Sequence, residues 1–150
     1  PAMSADLAAP IRTALVGAVA VTALLPAYLG SYPVFTRRPA PVDAPYPMII
    51  VSPDVSLTDL DGIDDRRPLV ERDVAVYGQN DTAAHYRDVE TLAYAVRALF
   101  HRQWRALAVS GWGVVGIVAR GPIPAPTDDE ETVGRLVTLQ IALARAGLSG

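Results

Sequence analysis

The sequence predicts a single α+β domain: an antiparallel or mixed sheet of four or five strands, with two main helices packed on one face. Two segments have apolar residues at helical spacing, and others are β-branched runs bounded by proline and glycine. A chain of 150 residues, 51% of them hydrophobic, is long enough to bury one core.

The first helix is expected to begin after Asp6, a favourable N-cap, and to end before Pro26. Gly17 is its weak point, because glycine lowers helix stability. The apolar run at residues 11–25 contains Arg12 and is shorter than the roughly 20 residues that a membrane-spanning helix needs. We therefore interpret it as a buried helix and expect no membrane partner.

Strands are expected next. A proline-rich stretch leaves room for at most a short strand at residues 34–36. Met48–Val51 is an apolar, β-branched run, which is typical of a buried strand. Residues 69–78 alternate, so that one face is apolar except for Arg72 and the other is partly solvated. Residues 54–68, between these two strands, are interpreted as an acidic loop.

The second helix has the clearest periodicity in the chain. Asn80 or Asp81 is expected to cap it, and charged residues occupy its remaining faces. Its apolar residues recur at i, i+3, i+4 and i+7, which indicates an amphipathic helix lying on a flat apolar surface. These residues are Val89, Leu92, Ala93, Val96, Leu99 and Phe100.

The C-terminal part is expected to add strands. Residues 112–120 are rich in valine and predict one strand. Three prolines in residues 121–126 predict an extended connection without regular structure. Residues 127–145 fit both a helix, opened by a capping box at Thr127, and a strand of period two. The enrichment in β-branched residues favours the strand.

Composition excludes several classes of function. The formal net charge is −3, from 13 basic and 16 acidic residues, which argues against direct, sequence-specific binding of nucleic acid. The absence of cysteine excludes disulfides, thiol nucleophiles and thiolate metal sites. All the basic residues are arginine, which we attribute to genome composition rather than to a need for bidentate contacts.

Two motifs match the residue pattern of known ligand sites, but their flanking elements or residue positions differ from those sites. Gly111, Gly113 and Gly116 form G-x-G-x-x-G, yet they follow a helix and run into a strand, the reverse of a dinucleotide-binding turn. The aspartates of residues 59–65 resemble a calcium loop, but the glycine and glutamate positions of an EF-hand do not match. We expect a solvated acidic loop, with no cofactor and no resident metal; an adventitious or assembly-dependent cation is the alternative.

No set of residues predicts catalysis. His85 and His101 are the only histidines, and on one helix they would point about 160° apart. The carboxylates of residues 128–131 are contiguous beside prolines, which is typical of a solvated charge run. The residues therefore predict a structural subunit and no enzyme. The alternative from a different class is a small hydrolase or ligand-binding domain, which would be a monomer with one deep polar pocket.

Short motifs follow one another in a definite order along the chain. A short Ala-rich helix ends in Val21-Thr-Ala-Leu-Leu, and Tyr32-Pro-Val-Phe35 follows it. Ala44-Pro-Tyr-Pro-Met-Ile-Ile-Val51 then leads to a strand ending in Asp73-Val-Ala-Val-Tyr-Gly78 and to the amphipathic helix. Over roughly residues 5–145, this order resembles the tail completion, or tail terminator, proteins of long-tailed bacteriophages and phage-derived gene transfer agents.

The resemblance implies an α+β subunit that forms a ring, usually of six copies, at the head-proximal end of a tail tube. Such a ring stops tube polymerisation and offers a docking surface to the head connector. The implied partners are other copies of the chain, the tail tube protein and a head–tail connector or neck protein. The implied location is the virion, assembled in the cytoplasm of a bacterial host. A neck or head-closure protein is the alternative within the same structural class.

We expect residues 3–148 to form the one tail-terminator-like domain, and Pro1 and Ala2, which precede Met3, to be a cloning remnant. A closed ring needs two different, complementary patches on each subunit. The candidate interface residues are those of a mixed-charge loop and three aromatic residues: Asp59, Asp61, Asp64, Asp65, Arg66, Arg67, Tyr28, Tyr32 and Trp112.

Overall fold

The fold is given by a computed structural model that describes residues 7–36, 40–41, 43–51, 56–59, 68–79, 83–109, 112–125 and 131–145. In chain order its elements are α1 (Ala8–Val16), α2 (Val19–Thr22), β1 (Val34–Phe35), β2 (Met48–Val51), β3 (Ser56–Asp59), β4 (Pro68–Gln79), α3 (Ala83–Phe100), a 3₁₀ turn (Trp104–Ala106), β5 (Trp112–Pro124) and β6 (Thr132–Arg145).

One mixed sheet forms the centre of the molecule, and the predicted α+β class is confirmed. Five strands lie in the order β1-β2-β4-β6-β5, and the short β3 pairs with the beginning of β4. β1 runs parallel to β2, whereas the other described pairs are antiparallel. β5 is therefore one edge of the sheet. The opposite edge is formed by β1 at one end and by β3 at the other.

The helices α1 and α3 pack on the same face of the sheet, as the sequence predicts. Their apolar stripes meet the inward side chains of the strands, so that one main core lies between the two layers. Its fully buried side chains include Ile11, Leu15, Ile49, Val74, Leu92, Val96, Phe100, Ile117, Val137, Leu139 and Ile141. The long middle strands β4 and β6 supply most of the floor of this core.

The first helix breaks at its weak point. Gly17 caps the end of α1, and the chain resumes as the single turn α2. The residue before α1 is Leu7, which makes no side-chain cap and is fully buried. Burial of the Leu7 side chain anchors the start of the helix in the core. Asp6, the expected N-cap, lies outside the described residues, as do Asn80 and Asp81 before α3.

Two expectations about irregular chain are wrong. Residues 56–59 of the expected acidic loop form β3, which pairs with β4. The expected connection after residue 120 instead continues β5 to Pro124. A register shift between Arg120 and Ile123 accommodates the prolines, which an edge strand tolerates because its outer side needs no ladder donor. The strand favoured for the C-terminal segment is confirmed as β6.

Close contact between α3 and the sheet depends on Gly78. A Cβ atom at this position would collide with the side chain of Val89 on α3. Glu90, the next residue of α3, accepts a 2.7 Å hydrogen bond from Nε of Arg135 on β6. The buried guanidinium of Arg135 also donates to the carbonyl of Gly134, at 2.8 Å. These contacts seat the N-terminal half of α3 over β4 and β6.

The face of β4 that points away from the helices is only partly solvated, and less so than the sequence predicts. Ala75 and Tyr77 are buried there in a second, smaller cluster with Met48, Ile50 and Ala44. The proline-rich chain before β2 thus covers one end of this face, while Glu71 and Asp73 of the same strand stay half-buried.

Candidate assembly surfaces

The sequence-predicted interface residues do not form one site. Tyr28 and Tyr32 lie together beside β1, whereas Trp112 begins β5 at the opposite edge of the sheet. Asp59 is the last residue of β3, where its backbone pairs with that of Pro68. The remaining candidates, Asp61, Asp64, Asp65, Arg66 and Arg67, lie outside the described residues. The structure thus offers two separate surfaces, one at each edge.

The first surface is an open groove of about 430 Å³ between α1, the chain that follows α2, and β1. The break after α1 and the short α2 turn the chain back towards the sheet, which brings two tyrosines beside β1. Its lining combines aromatic, aliphatic and polar side chains: Arg12, Tyr28, Leu29, Ser31, Tyr32, Val34, Phe35, Thr36 and Pro41.

A tight hairpin turn forms the rim of this groove. Tyr28 and Ser31 exchange two backbone hydrogen bonds, of 2.9 and 2.8 Å. The two residues between them both have positive φ, +48° at Leu29 and +76° at Gly30, which defines a type I′ turn. The side chain of Leu29 is 84% exposed at its tip. A leucine is disfavoured there by both its conformation and its exposure.

Tyr28 is held in a defined orientation at the groove. Its hydroxyl donates a 2.9 Å hydrogen bond to Oδ1 of Asp43, and its ring meets that of Phe35 edge-on with centroids 5.7 Å apart. Partial removal from water raises the pKa of the Tyr28 phenol above its ordinary value. The hydrogen bond to Asp43 and the charge of that carboxylate raise it further.

Arg12 closes the edge of the sheet at this groove. Its Nε donates a 2.9 Å hydrogen bond to the carbonyl of Val34, the first residue of the edge strand β1. An edge carbonyl that is already bonded is not offered to a strand from another molecule. A partner at this surface would therefore contact side chains rather than extend the sheet.

The other edge of the sheet is closed by the chain that follows α3. The backbone N–H of Arg102 donates a 2.8 Å hydrogen bond to the carbonyl of Ile117 on β5. Nδ1 of His101 accepts a 3.1 Å hydrogen bond from the backbone N–H of Ala119. The sequence predicts His101 on the second helix; it instead follows the last helical residue, Phe100, and bonds to the edge strand.

Exposed arginine and apolar side chains surround this closed edge. The guanidinium of Arg105 lies over the Trp104 ring, 4.8 Å from its centroid, and both side chains are exposed. Val115 and Val118 of β5 are 64% and 43% exposed. We call the following set the β5-edge surface: Arg102, Trp104, Arg105, Val115, Val118 and Arg120.

Cross-strand hydrogen bonds fix the polar part of the uncovered sheet face. Nη2 of Arg120 donates to Oε1 of Gln140 at 2.8 Å, and Nε2 of Gln140 donates to Oε1 of Glu71 at 2.8 Å. In the next row, the Thr138 hydroxyl donates to Oδ1 of Asp73 at 2.8 Å. Three strands are thereby connected, and the half-buried carboxylates are engaged by protein donors.

In the described residues, the motifs that resemble ligand sites lack the geometry of a phosphate or metal site. Gly113 and Gly116 lie within β5, where no helix N-terminus follows them to meet a phosphate. His85 lies in the first turn of α3 and His101 just beyond its end, about 24 Å away at 1.5 Å per residue. No group of three or more His, Cys, Asp or Glu side chains suited to a metal ion occurs in the described part of the chain. None of the described helices is both long and apolar enough to cross a membrane.

Sequence reasoning missed most residues of both surfaces. Arg12 and Leu29 belong to the groove, and Arg102, Trp104 and Arg105 belong to the β5-edge surface. The signal available in the sequence was the lack of any acidic residue between His101 and Pro126, a stretch that contains three arginines. Charge counted by segment, rather than over the whole chain, would have drawn attention to it.

The comparisons with known proteins give a likeness in fold. No protein-family profile matches the sequence, and no curated protein matches it. A chain in a solved structure described as the virion of a native gene transfer agent (GTA) particle superposes with a TM-score of 0.68, covering 92% of this chain and 94% of that one. The superposition shows that this chain has the same fold as a component of that particle, although the two sequences are only 16% identical.

Proposed function

We propose that the protein is a structural component of a phage-like virion, with no enzymatic activity. The observation that carries the proposal is the likeness to a chain of the gene transfer agent virion, because it extends over nearly the whole length of both chains. The order of sequence motifs, found independently of the fold, leads to the same class of particle.

Within the virion, we infer a tail-terminator role. The protein forms a ring, of six copies in the usual arrangement, at the head-proximal end of the tail tube, and its single domain spans residues 3–148. It stops polymerisation of the tube protein and binds the head–tail connector. Two different surfaces on opposite edges of one sheet support a ring, because head-to-tail contacts need unlike patches on each subunit.

The test is deletion of the gene for this protein in a cell that produces the phage-like particle, followed by electron microscopy of the products. A tail terminator predicts tubes of uncontrolled length that lack heads, and complementation with the wild-type gene restores the tail length. Tails of normal length that fail to join heads would instead identify a neck or head-closure protein. Normal particles would refute a virion role altogether.

A second measurement addresses the enzyme alternative. Light scattering after size exclusion, with and without the tail tube protein, gives the mass of the purified chain. The structural role predicts a ring alone or a complex at tube ends. A strict monomer in both conditions would contradict it and would favour a ligand-binding or hydrolytic domain.

A further inference from the structure

The β5-edge surface brings exposed arginine and tryptophan side chains together. Arg102, Trp104 and Arg105 are all exposed, and Arg105 stacks on the indole ring. Arginine and tryptophan are the residue types that are most enriched at energetically important positions of protein interfaces. The backbone of the β5 edge is already hydrogen-bonded at Ile117 and Ala119. A partner would therefore contact the arginine and tryptophan side chains and would not add a strand to the sheet.

The charge of this surface is of one sign. Between His101 and Pro126 the sequence has three arginines, Arg102, Arg105 and Arg120, and no acidic residue. The opposite edge of the sheet at the same end is β3, which pairs with β4 alone among the described strands. The chain around β3 is acidic overall: residues 54–65 contain five aspartates and no basic residue, and two arginines, Arg66 and Arg67, follow them.

Within one copy, the strands β3 and β5 lie on opposite edges of the sheet. β4 and β6 lie between β3 and β5, and three spacings of about 4.8 Å put the two edge strands about 14 Å apart. Arg102 and Arg105 lie outside β5 and so are further away still. In a head-to-tail arrangement, however, the β5 edge of one copy faces the β3 edge of the next. Such heterologous contacts close into a ring when the rotation between copies permits.

We propose that the β5-edge surface binds the aspartate-rich segment of a second copy of this chain, residues 54–65, which contains β3. This inference rests on the proposed ring-forming function and identifies the contact that builds the ring. Guanidinium groups bind carboxylates with paired hydrogen bonds, and Trp104 and Val118 supply the apolar area that charged contacts alone lack.

A protein partner fits this surface better than nucleic acid does. The chain has a net charge of −3, and Arg120 is linked through Gln140 to the carboxylate of Glu71. Binding to phosphate backbones generally uses many more cations without an adjacent carboxylate.

A charge-swap experiment tests the contact directly. One variant carries Arg102→Glu and Arg105→Glu, and a second carries Asp61→Arg and Asp64→Arg. Each variant alone presents like charges at the proposed contact, and we expect both to lose assembly. Mixed in equal amounts, they present opposite charges at every contact of an alternating ring, and we expect assembly to return. Light scattering and electron microscopy give the readout, with the tail tube protein present, and thermal unfolding verifies that each variant is folded.

The matched control is Arg87→Glu, compared with the single change Arg105→Glu. Arg87 is an exposed arginine on α3, away from the β5 edge. We expect Arg87→Glu to assemble like the wild type and Arg105→Glu to lose assembly.

Equal assembly of Arg105→Glu and wild type would overturn the proposed contact while leaving the ring intact. A wild-type chain that never assembles, even with the tube protein, would overturn the proposed function together with it. Binding of double-stranded DNA that Arg105→Glu abolishes, with assembly unchanged, would assign the surface to nucleic acid and also overturn the proposal.

Discussion

Leu29 stands in a backbone conformation that suits glycine or asparagine far better than leucine. Its φ of +48° is left-handed, which costs an L-residue with a full side chain about 1–2 kcal/mol, and its side chain is 84% exposed. Asn-Gly is the preferred pair for a type I′ turn. We expect Leu29→Asn to raise the free energy of unfolding by about 0.5–1 kcal/mol, measured by chemical denaturation.

The control for this effect is Leu29→Ala. Alanine removes the exposed side chain but keeps the cost of a positive φ, so that its stability should stay close to that of the wild type. A gain in the alanine variant equal to that of Leu29→Asn would show that exposure, and not the backbone, is unfavourable. If Leu29→Asn also weakens assembly, the groove at this turn takes part in it.

The hydrogen bond from Tyr28 to Asp43 predicts a pH dependence. The pKa of the phenol is raised in the folded state, so the contact contributes its full stability below the ordinary tyrosine pKa of about 10 and loses it as the pH rises through the raised value. We expect Asp43→Asn to lower the pKa of Tyr28, although partial removal from water keeps it above the ordinary value. Ultraviolet titration of tyrosine ionisation measures this, and Tyr28→Phe identifies the signal. An unchanged titration in Asp43→Asn would contradict the assigned contact.

At the scale of elements, the packing of α3 on β4 is sensitive to a single added methyl group at Gly78. A Cβ at Gly78 would collide with Val89, whereas at Gly116 of β5 a Cβ would have no heavy atom within 4 Å. We expect Gly78→Ala to lower the free energy of unfolding by about 1–3 kcal/mol, because a well-packed interface must shift. Gly116→Ala is the matched control and should be neutral or slightly stabilising. Equal effects of the two substitutions would mean that glycine flexibility, not helix contact, matters at residue 78.

The closed edge of β5 predicts a local pattern of amide exchange. The N–H of Ala119 is bonded to the imidazole of His101, while the N–H of its neighbour Val118 points towards β6, since alternate residues of a strand face opposite sides. We expect His101→Ala to accelerate hydrogen exchange at Ala119 much more than at Val118, as followed by NMR. Equal acceleration at both amides would indicate that the whole strand has loosened, and would contradict a local role for His101.

The elements that the sequence predicts well are those with local signals. The apolar stripe of α3 and the alternation of apolar and polar residues in β4 depend only on nearby residues of the sequence, and both elements are confirmed. β3 could not be predicted, because four residues within an acidic stretch become a strand only by pairing with β4. The extension of β5 past its prolines depends likewise on its place at the edge, which is a property of the whole sheet.

The assembly surfaces show the same limit at the scale of the molecule. Tyr28 and Tyr32 could be selected from the sequence as candidate interface aromatic residues, but their meeting with Arg12 depends on how α1 folds back on β1. Trp104 lies in a 3₁₀ turn after α3, and its proximity to β5 arises from the bond between Arg102 and Ile117. At β1 and at β5 the backbone of the sheet edge is bonded by such side-chain and turn contacts, which directs assembly at these two strands to side chains.

The distribution of charge over the whole molecule predicts how salt affects assembly. Each copy has a formal net charge of −3, so copies repel at long range, whereas the proposed contact between arginines and aspartates attracts at short range. Salt screens both effects, as the Debye length falls from about 10 Å at 0.1 M to about 3 Å at 1 M. If net repulsion governed assembly, added salt would strengthen it; if the proposed contact governs, added salt weakens it.

We expect the mass measured by light scattering to fall as sodium chloride rises from about 0.1 to 1 M, because charge pairs at a solvent-exposed contact are screened over that range. Arg102→Gln combined with Arg105→Gln removes the attraction without adding repulsion, so that whatever assembly remains should depend less on salt. Arg87→Gln changes the net charge by one without touching the β5-edge surface, and should keep the wild-type salt dependence. Wild-type assembly that strengthens with salt would show that contacts other than the β5 edge hold the copies together, since only apolar or uncharged contacts gain when repulsion between negative copies is screened.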